Sequence, residues 1–184
     1  MCIRDRSWVT TRMAAGDGRI VMAGAGWNWP DLIAANSEGI RPPRPGVALE
    51  LPSSTVDLAL SGQLAVLAVG PDIEGHGRPG LVLADVVDPN APREVGTAWL
   101  DNAPVGVATV GRTAYVATEF TVQAFDLTVP TVPDPVWSVR EPGPGPSYEE
   151  RLVAADSSHL AVVRTDGVRL FDLSNPQRPR EGLW

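Results

Sequence analysis

The sequence predicts an all-β fold made of four tandem copies of one four-stranded unit, because two landmarks recur in phase along the chain. The first landmark is an acidic residue followed by two prolines three residues apart. It begins at Asp85, Asp126 and Asp172, with a degenerate copy at Glu38, and the spacings are 47, 41 and 46 residues. The second is a short apolar segment after a polar or glycine-containing turn. It begins at Gly18, Gly62, Gly111 and Ser158, with spacings of 44, 49 and 47 residues.

Each copy divides into four short strands rich in alanine, valine and leucine, separated by turn residues. The third copy is predicted at Val105–Val110, Ala114–Thr118, Val122–Leu127 and Pro135–Arg140. The second copy is predicted at Val56–Ser61, Leu64–Val69, Leu81–Val86 and Glu94–Leu100. The fourth is predicted at Arg151–Ala155, Leu160–Arg164, Val168–Leu173 and a terminal stretch, and the first at Trp8–Ala14, Ile20–Ala23, Leu32–Asn36 and Val47–Leu51. No segment keeps a 3.6-residue periodicity over three turns, so we expect almost no helix.

The third strand of each copy predicts how the units pack. Val122 and Ala124 face one side of their strand, whereas Phe125 and Leu127 face the other. A strand that is apolar on both faces needs cover on both faces, which neighbouring sheets packed around an axis supply. Four strands in a period of 41 to 49 residues are typical of a β-propeller blade. The predicted antiparallel blades cover approximately residues 7–52, 53–101, 102–143 and 144–184.

Two segments resemble a known propeller repeat. LVLADVVDPNAPREVG (81–96) and VRLFDLSNPQRPREG (168–182) are similar to the bacterial LVIVD repeat, in which an apolar strand ends in Asp, a hydrophobic residue and a proline-containing turn. VQAFDLTVPTVPDPVWSV (122–139) resembles it less closely, and in the first copy Glu38 and Gly39 replace the Asp and the apolar residue. The resemblance implies a propeller fold and an extracytoplasmic or cell-surface location.

The two termini of the chain suggest a larger ring. The first six residues, MCIRDR, share nothing with the repeat, and we interpret residues 1–6 as a non-native leader. Every blade begins with an inner strand and finishes with an outer one, so no strand remains to complete a shared closing blade. We therefore expect a four-blade fragment of a larger propeller, and we predict self-association through exposed blade faces.

Charge and composition argue against several classes of partner. The net charge is −7, and all 15 basic residues are arginine, so the acidic chain is poorly suited to nucleic acid or to an anionic membrane surface. No apolar run approaches the roughly 20 residues that span a bilayer, so we expect no membrane insertion. The single cysteine, Cys2, excludes an internal disulfide framework.

The repeated Asp and Pro residues are interpreted as structural. An Asp at a strand end accepts hydrogen bonds from the amides of the following turn, and one copy per blade argues against an active site. The prolines fix φ where an edge strand begins and a missing donor does little harm. The predicted turn residues are Asp85, Asp126, Asp172, Pro89, Pro92, Pro130, Pro133, Pro176 and Pro179.

Candidate binding residues lie in the loops that enter the innermost strands and in those between the second and third strands, which share one face of a propeller. They are Trp27, Trp29, Asp72, Glu74, His76, Asp101, Asn102, Tyr148 and Asp166. The two tryptophans are suited to stacking on a sugar or anchoring a protein partner, although packing between neighbouring blades is the favoured explanation for them. Asp72, Glu74 and His76 alternate, so an extended loop would aim all three in one direction.

Two functional interpretations follow from these residues, and a third is that the chain is a purely structural part of a longer surface protein. The favoured one is a non-enzymatic propeller module that binds a protein or carbohydrate partner through its loop face, without a metal or other cofactor. The alternative is a propeller hydrolase or lyase with its site near Asp72, Glu74 and His76. We find no nucleophile with an evident base and no phosphate-binding glycine loop, so no catalytic residue is assigned. Convergence of the three side chains on one point would favour the enzyme.

Overall fold

The computed structural model describes residues 10–16, 18–24, 31–36, 48–71, 75–140, 153–164 and 167–182. Within these ranges the chain forms sixteen β-strands and no helix. No helix in the described part of the chain could therefore cross a membrane. The fold is all-β, as the repeat predicts.

The strands follow one another in four groups of four, which we call blades 1 to 4. Blade 1 contains β1 (Thr10–Gly16), β2 (Arg19–Gly24), β3 (Asp31–Asn36) and β4 (Leu49–Glu50). Blade 2 contains β5 (Ser54–Ser61), β6 (Leu64–Gly70), β7 (Gly80–Asp85) and β8 (Arg93–Trp99). Blade 3 contains β9 (Pro104–Val110), β10 (Thr113–Thr118), β11 (Thr121–Asp126) and β12 (Asp134–Arg140). Blade 4 contains β13 (Val153–Ala155), β14 (His159–Arg164), β15 (Gly167–Asp172) and β16 (Arg180–Glu181).

Each blade is a separate four-stranded antiparallel sheet whose strands lie in chain order. The first strands of successive blades are neighbours, so β5 lies between β1 and β9, and β9 lies between β5 and β13. The fourth strands lie farthest from this line of first strands. Sheets arranged in this way, with one strand of each near a common axis, are the blades of a β-propeller.

Glycine makes the tight turn between the first and second strands of blades 2 and 3. Gly62 and Gly111 have φ angles of 58° and 56° and occupy two-residue connections. A positive φ at such a position matches the twist of the flanking strands, and glycine adopts it without steric cost. These two residues belong to the second repeated landmark of the sequence, which therefore marks the start of each second strand.

The hydrophobic core consists of three buried layers, each between two successive blades. Strand β11 and the residue just after it contribute to two of them. Val122 and Ala124 pack toward blade 4, whereas Phe125 and Leu127 pack toward blade 2. The predicted apolar character of both strand faces is confirmed, and it explains why the blades stack.

We call one end of the propeller the turn edge, where the first strand of each blade joins the second and the third joins the fourth. The repeated Asp accepts a hydrogen bond at Oδ1 from the backbone N–H two residues later, with distances of 2.9 Å for Asp85–Val87, 2.8 Å for Asp126–Thr128 and 2.7 Å for Asp172–Ser174. A backbone turn follows in each case, in which Ala91, Val132 and Arg178 donate to the carbonyl oxygens of Asp88, Val129 and Asn175. The turn edge therefore repeats in hydrogen bonding as well as in sequence.

The turn of blade 4 also contacts the preceding blade. The hydroxyl of the buried Tyr115 donates to the carbonyl oxygen of Pro176 at 2.8 Å, across 61 residues of sequence. The side-chain amide of Gln177 donates to Oδ2 of Asp126 at 2.7 Å. The turn thus links blade 4 to blade 3 outside the apolar layer.

The turns of blades 3 and 2 make equivalent contacts. The backbone of Gly96 in β8 approaches the turn of blade 3 so closely that an added Cβ would overlap with the carbonyl oxygen of Pro130. The guanidinium of Arg19 in β2 donates to the carbonyl oxygen of Val87 at 3.3 Å. Each of the three proline-containing turns that the structure describes therefore lies against the blade that precedes it in the chain.

Candidate functional site

The other end of the propeller, which we call the loop edge, carries the connections between second and third strands and those that lead into the next blade. Three of the predicted binding residues in the described part of the chain lie here: His76, Asp101 and Asn102. His76 and Asp101 are exposed, and Asn102 is half-buried. The other candidates, Trp27, Trp29, Asp72, Glu74, Tyr148 and Asp166, lie outside the described residues.

A short segment from Gly75 to Pro79 presents His76 to solvent. Gly75 and Gly77 have φ angles of 82° and 95°, a backbone conformation that favours glycine. An added Cβ at Gly77 would overlap with the hydroxyl of Ser53. The glycines therefore let the segment lie directly against the residues that enter blade 2.

Two sets of hydrogen bonds hold this segment in place. The buried hydroxyl of Ser53 accepts from the backbone N–H of Arg78 and donates to its carbonyl oxygen, both at 3.0 Å. The backbone N–H of Leu100 donates to the carbonyl oxygen of Pro79, also at 3.0 Å. The segment is therefore attached both to the start of blade 2 and to the end of its outer strand.

An exposed tryptophan lies beside this segment. Trp99 ends β8, and its side chain is 45% exposed. The guanidinium carbon of Arg78 lies 4.9 Å from the centre of the Trp99 ring, a cation–π contact. Gly80 leaves room for the ring, since an added Cβ there would lie 2.9 Å from a ring carbon. The indole is thus supported on one side by the chain and remains accessible to a partner.

Blade 3 contributes a second exposed aromatic side chain to the loop edge. Phe120, 38% exposed, lies in the two-residue connection between β10 and β11. The buried hydroxyl of Thr118 accepts hydrogen bonds from the backbone N–H groups of Phe120, at 3.2 Å, and Thr121, at 3.0 Å. These bonds fix the connection and hold Phe120 at the surface. Among the exposed large hydrophobic side chains of the described residues, the two aromatic ones both lie on this edge.

Polar groups near the propeller axis hold the inner strands together. Oδ2 of Asp57 in β5 accepts a hydrogen bond from the backbone N–H of Val107 in β9 at 2.9 Å. On the other side, Nε of Arg12 in β1 donates to the carbonyl oxygen of Val56 at 2.6 Å and lies 3.8 Å from Oδ1 of Asp57. These contacts join blades 1, 2 and 3, so we interpret Arg12 and Asp57 as structural residues.

The described residues contain no group of three or more His, Cys, Asp or Glu side chains arranged to hold a metal ion. His76 is the one member of the predicted constellation of Asp72, Glu74 and His76 that the structure describes. The hydrolase or lyase interpretation therefore stays a prediction.

Four residues of this surface are not among the candidates that the sequence predicts: Ser53, Arg78, Trp99 and Phe120. The available signal was an aromatic residue at the end of a predicted outer strand and another in a two-residue loop. The contact of Trp99 with Arg78 could not be predicted from the sequence, because strand β7 and the rest of strand β8 lie between the two residues in the chain. The site described here is therefore an aromatic surface on blades 2 and 3, defined by Trp99, Arg78 and Phe120, with His76 and Asp101 nearby in sequence.

Comparison with solved structures identifies the class of fold. No protein-family model and no curated protein matches the sequence. The chain is similar to the β-propeller domain of Cps50 (Swd1) from Myceliophteria thermophila, with a TM-score of 0.64 and 14% identity over 93% of this chain and 56% of that one. The chain is thus a β-propeller of four described blades.

Two further structures show how broadly this fold is used. One is KlAtg21, solved in complex with the coiled coil of AgAtg16, at a TM-score of 0.61 and 11% identity, covering 94% of this chain and 56% of that one. The other is Myxococcus xanthus glutaminyl cyclase, at a TM-score of 0.53 and 11% identity, covering 94% and 68% respectively. The chain spans little more than half the length of the first two structures, and at these identities the likeness concerns the fold alone.

Proposed function

We propose that this β-propeller is a non-enzymatic binding module that recognises a protein partner through the loop edge of blades 2 and 3. The observation that carries the proposal is the pair of exposed aromatic side chains, Trp99 and Phe120. Part-buried hydrogen bonds fix the segment beside Trp99 and the loop that contains Phe120. Tryptophan and other large aromatic residues dominate the binding energy of protein interfaces, because they bury much area at a low entropy cost.

Arg78 adds a reason to favour a protein over a carbohydrate. Its guanidinium covers one face of the Trp99 ring, so that face is not free to stack on a sugar. Arginine beside an aromatic ring is a frequent centre of protein interfaces. The complex of the similarly folded KlAtg21 with a coiled coil supports this proposal by analogy of fold.

Three further proposals rest on the sequence pattern alone. We propose that the chain belongs to the LVIVD-repeat propellers of bacteria, that it acts outside the cytoplasm and that it forms part of a larger ring. Self-association through the outer faces of blades 1 and 4 is a separate proposal, independent of the loop edge.

The test is partner capture followed by titration with matched variants. The full chain is immobilised, proteins retained from an extract of the source organism are identified by mass spectrometry, and one purified retained protein is titrated against each variant. Trp99→Ala combined with Phe120→Ala is expected to weaken binding at least about 30-fold, as two interface anchors do. Val129→Ala combined with Val132→Ala removes two exposed apolar side chains from the turn edge and is expected to leave binding unchanged.

Three outcomes would overturn the proposal. Equal weakening by both double variants would mean that the loop edge is not the binding surface. Binding to an oligosaccharide array that depends on Trp99 and Phe120 would replace the protein partner with a carbohydrate. Hydrolysis of an ester or glycoside panel that disappears in His76→Ala would favour the enzyme. Circular dichroism melting of each variant separates lost binding from lost folding.

A further inference from the structure

The three layers of the core share one pattern of paired side chains. In each blade, two residues of the second strand and their partners on the third strand face the following blade; we call this the forward face. The forward faces consist of Val21, Ala23, Leu32 and Ala34 in blade 1, Val66, Ala68, Leu81 and Leu83 in blade 2, and Tyr115, Ala117, Val122 and Ala124 in blade 3. All twelve side chains are buried against the next blade.

Blade 4 has a forward face of the same composition. Ala161 pairs with Leu170, and Val163 pairs with Val168, in the same register as the forward faces of the other blades. None of these four residues belongs to a buried cluster, and Val168 is 59% exposed. Ala161, Val163 and Leu170 are half-buried. The apolar pattern that packs against a neighbouring blade in blades 1 to 3 is therefore only partly buried in blade 4, where no buried cluster of the described residues includes it.

Blade 1 has the complementary surface, which we call its backward face. Met13, Met22 and Ile33 lie side by side across β1, β2 and β3. Met13 is 66% exposed, and Met22 and Ile33 are half-buried. In blade 2 the residues at the positions of Met22 and Ile33, Leu67 and Val82, are fully buried against blade 1.

Within one chain, the described residues of these two faces do not pack into a common buried cluster. Each of the three buried clusters joins successive blades, and none of them, among the described residues, joins blade 4 to blade 1. One apolar face of each type is therefore left without a partner blade, which is a recognised signature of an interaction surface.

We propose that a second copy of this chain covers both faces at once. Blade 4 of each copy packs its forward face on the backward face of blade 1 of the other, which gives a two-fold ring of eight blades. The contact continues the forward-to-backward packing already present at three interfaces of the structure. A second copy is the occupant favoured because it carries both complementary faces, and because one copy covers only 56% of the propeller chain of Cps50. A closed two-fold arrangement leaves no apolar face for further growth.

The first measurement is the mass of the full chain in solution by light scattering after size exclusion. We expect twice the chain mass of 19.5 kDa. Val168→Glu and Met13→Glu each place a charge in the proposed interface and are expected to raise the dimer Kd by at least about 100-fold, because an unpaired charge is costly to bury. Val132→Glu, at a residue 68% exposed on the turn edge, is the matched control and should leave the mass unchanged.

A mixing experiment tests the pairing itself. When the Met13→Glu and Val168→Glu chains are combined, one of the two interfaces is free of both substitutions, so a heterodimer is expected to form at concentrations where each variant alone is monomeric. A chain carrying Met13→Glu with Val168→Lys places opposite charges across each interface and should associate more tightly than either Glu variant. Because both parent residues are exposed, the monomers should keep their melting temperatures, and recovery on mixing shows that they fold.

The proposal is overturned by a monodisperse 19.5 kDa species that binds no apolar dye, by a dimer that Val168→Glu leaves intact, or by open polymers in place of a closed dimer. It is also overturned if the mixed variants fail to associate, since contacts between like faces would then explain any wild-type dimer. None of these measurements involves the loop edge, so their failure leaves the proposed partner binding standing.

Discussion

The turn edge and the loop edge of the propeller differ in how strictly they repeat. On the turn edge, blades 2, 3 and 4 share an Asp that binds the backbone N–H two residues later, the same backbone turn and a contact with the preceding blade. On the loop edge, within the residues that the structure describes, the pairing of Ser53 with Arg78 and the hydrogen bonds to the hydroxyl of Thr118 each occur in one blade. Repeated features stabilise the fold, whereas features present once are free to serve binding.

The largest expected effect is at the turn edge, at the close contact between blades 2 and 3. Gly96→Ala would place a Cβ on the carbonyl oxygen of Pro130, so one blade must move. We expect the free energy of unfolding to fall by about 3 kcal/mol, as overpacking does. Gly111→Asn is the control, because an added Cβ there meets nothing and Asn tolerates a positive φ. Urea unfolding measures both, and equal losses would contradict the contact.

The hydrogen bond between Tyr115 and Pro176 should have the next largest effect. Burial raises the pKa of Tyr115 to about 12, so the hydroxyl is protonated at neutral pH and donates to the carbonyl oxygen. Tyr115→Phe removes the donor and is expected to lower the free energy of unfolding by about 1 kcal/mol. Gln177→Ala, which removes an exposed link between the same two blades, should cost less. The reverse order would show that the exposed contact dominates.

A smaller effect is expected from acid at the turn edge. The backbone N–H of Val87 lowers the pKa of Asp85, the hydroxyl and backbone N–H of Thr128 lower that of Asp126, and hydrogen bonds from Ser158 and His159 lower that of Asp156 to about 2. As the pH falls below the ordinary pKa of 3.8, these carboxyl groups therefore bind more protons in the unfolded chain than in the folded one. The three Asp residues stabilise the folded state above that pH, and this stabilisation is lost as the pH falls through their lowered pKa values.

The measurement is urea unfolding between about pH 6 and about pH 2.5, compared with a variant in which all three Asp residues are Asn. Asn keeps the oxygen acceptor but does not titrate, so the variant should lose less stability on acidification. Asp101→Asn on the loop edge is the matched control. A parallel loss in the wild type and the triple variant would show that other groups govern the acid response.

The smallest effect on stability is expected at the loop edge. His76→Ala and Asp101→Ala change exposed side chains. Each should alter the free energy of unfolding by no more than about 0.5 kcal/mol, as surface substitutions usually do. Thermal melting followed by circular dichroism is the check. A loss above about 1 kcal/mol would show that the loop edge has a structural role and would weaken the contrast between the two edges.

The fold was predictable because the sequence motifs recur with the same period as the blades. The predicted strand Ala114–Thr118 corresponds to β10 at Thr113–Thr118, and Leu64–Val69 corresponds to β6 at Leu64–Gly70. Because the unit is repeated, each strand could be identified in several copies. Apolar residues on both faces of the third strands required each sheet to pack against neighbouring sheets. The contact of Tyr115 with Pro176 was not predictable, because the two residues are 61 positions apart. The apolar pattern of the strand predicts that Tyr115 is buried, but it does not predict which group accepts the hydrogen bond of its hydroxyl.

The candidate site was less predictable, because the loop edge has no repeat to compare. Acidic, histidine and aromatic residues in loops gave Asp101 and His76, but charge alone does not distinguish a solvated loop from a binding surface. Trp99 was assigned to an outer strand, and its exposure depends on Gly80 and Arg78 in the neighbouring chain segment. Such positions become visible only when strand register is known.

The one-way direction of the turn contacts has a consequence for biosynthesis. Pro130 contacts blade 2 and Pro176 contacts blade 3, and the turn of blade 2 contacts blade 1, so each of the three described turns contacts residues that are translated earlier. A nascent blade therefore finds its docking surface already outside the ribosome and need not wait for later sequence. Growth by addition of one blade to a preformed neighbour keeps the loop-closure entropy of each step small.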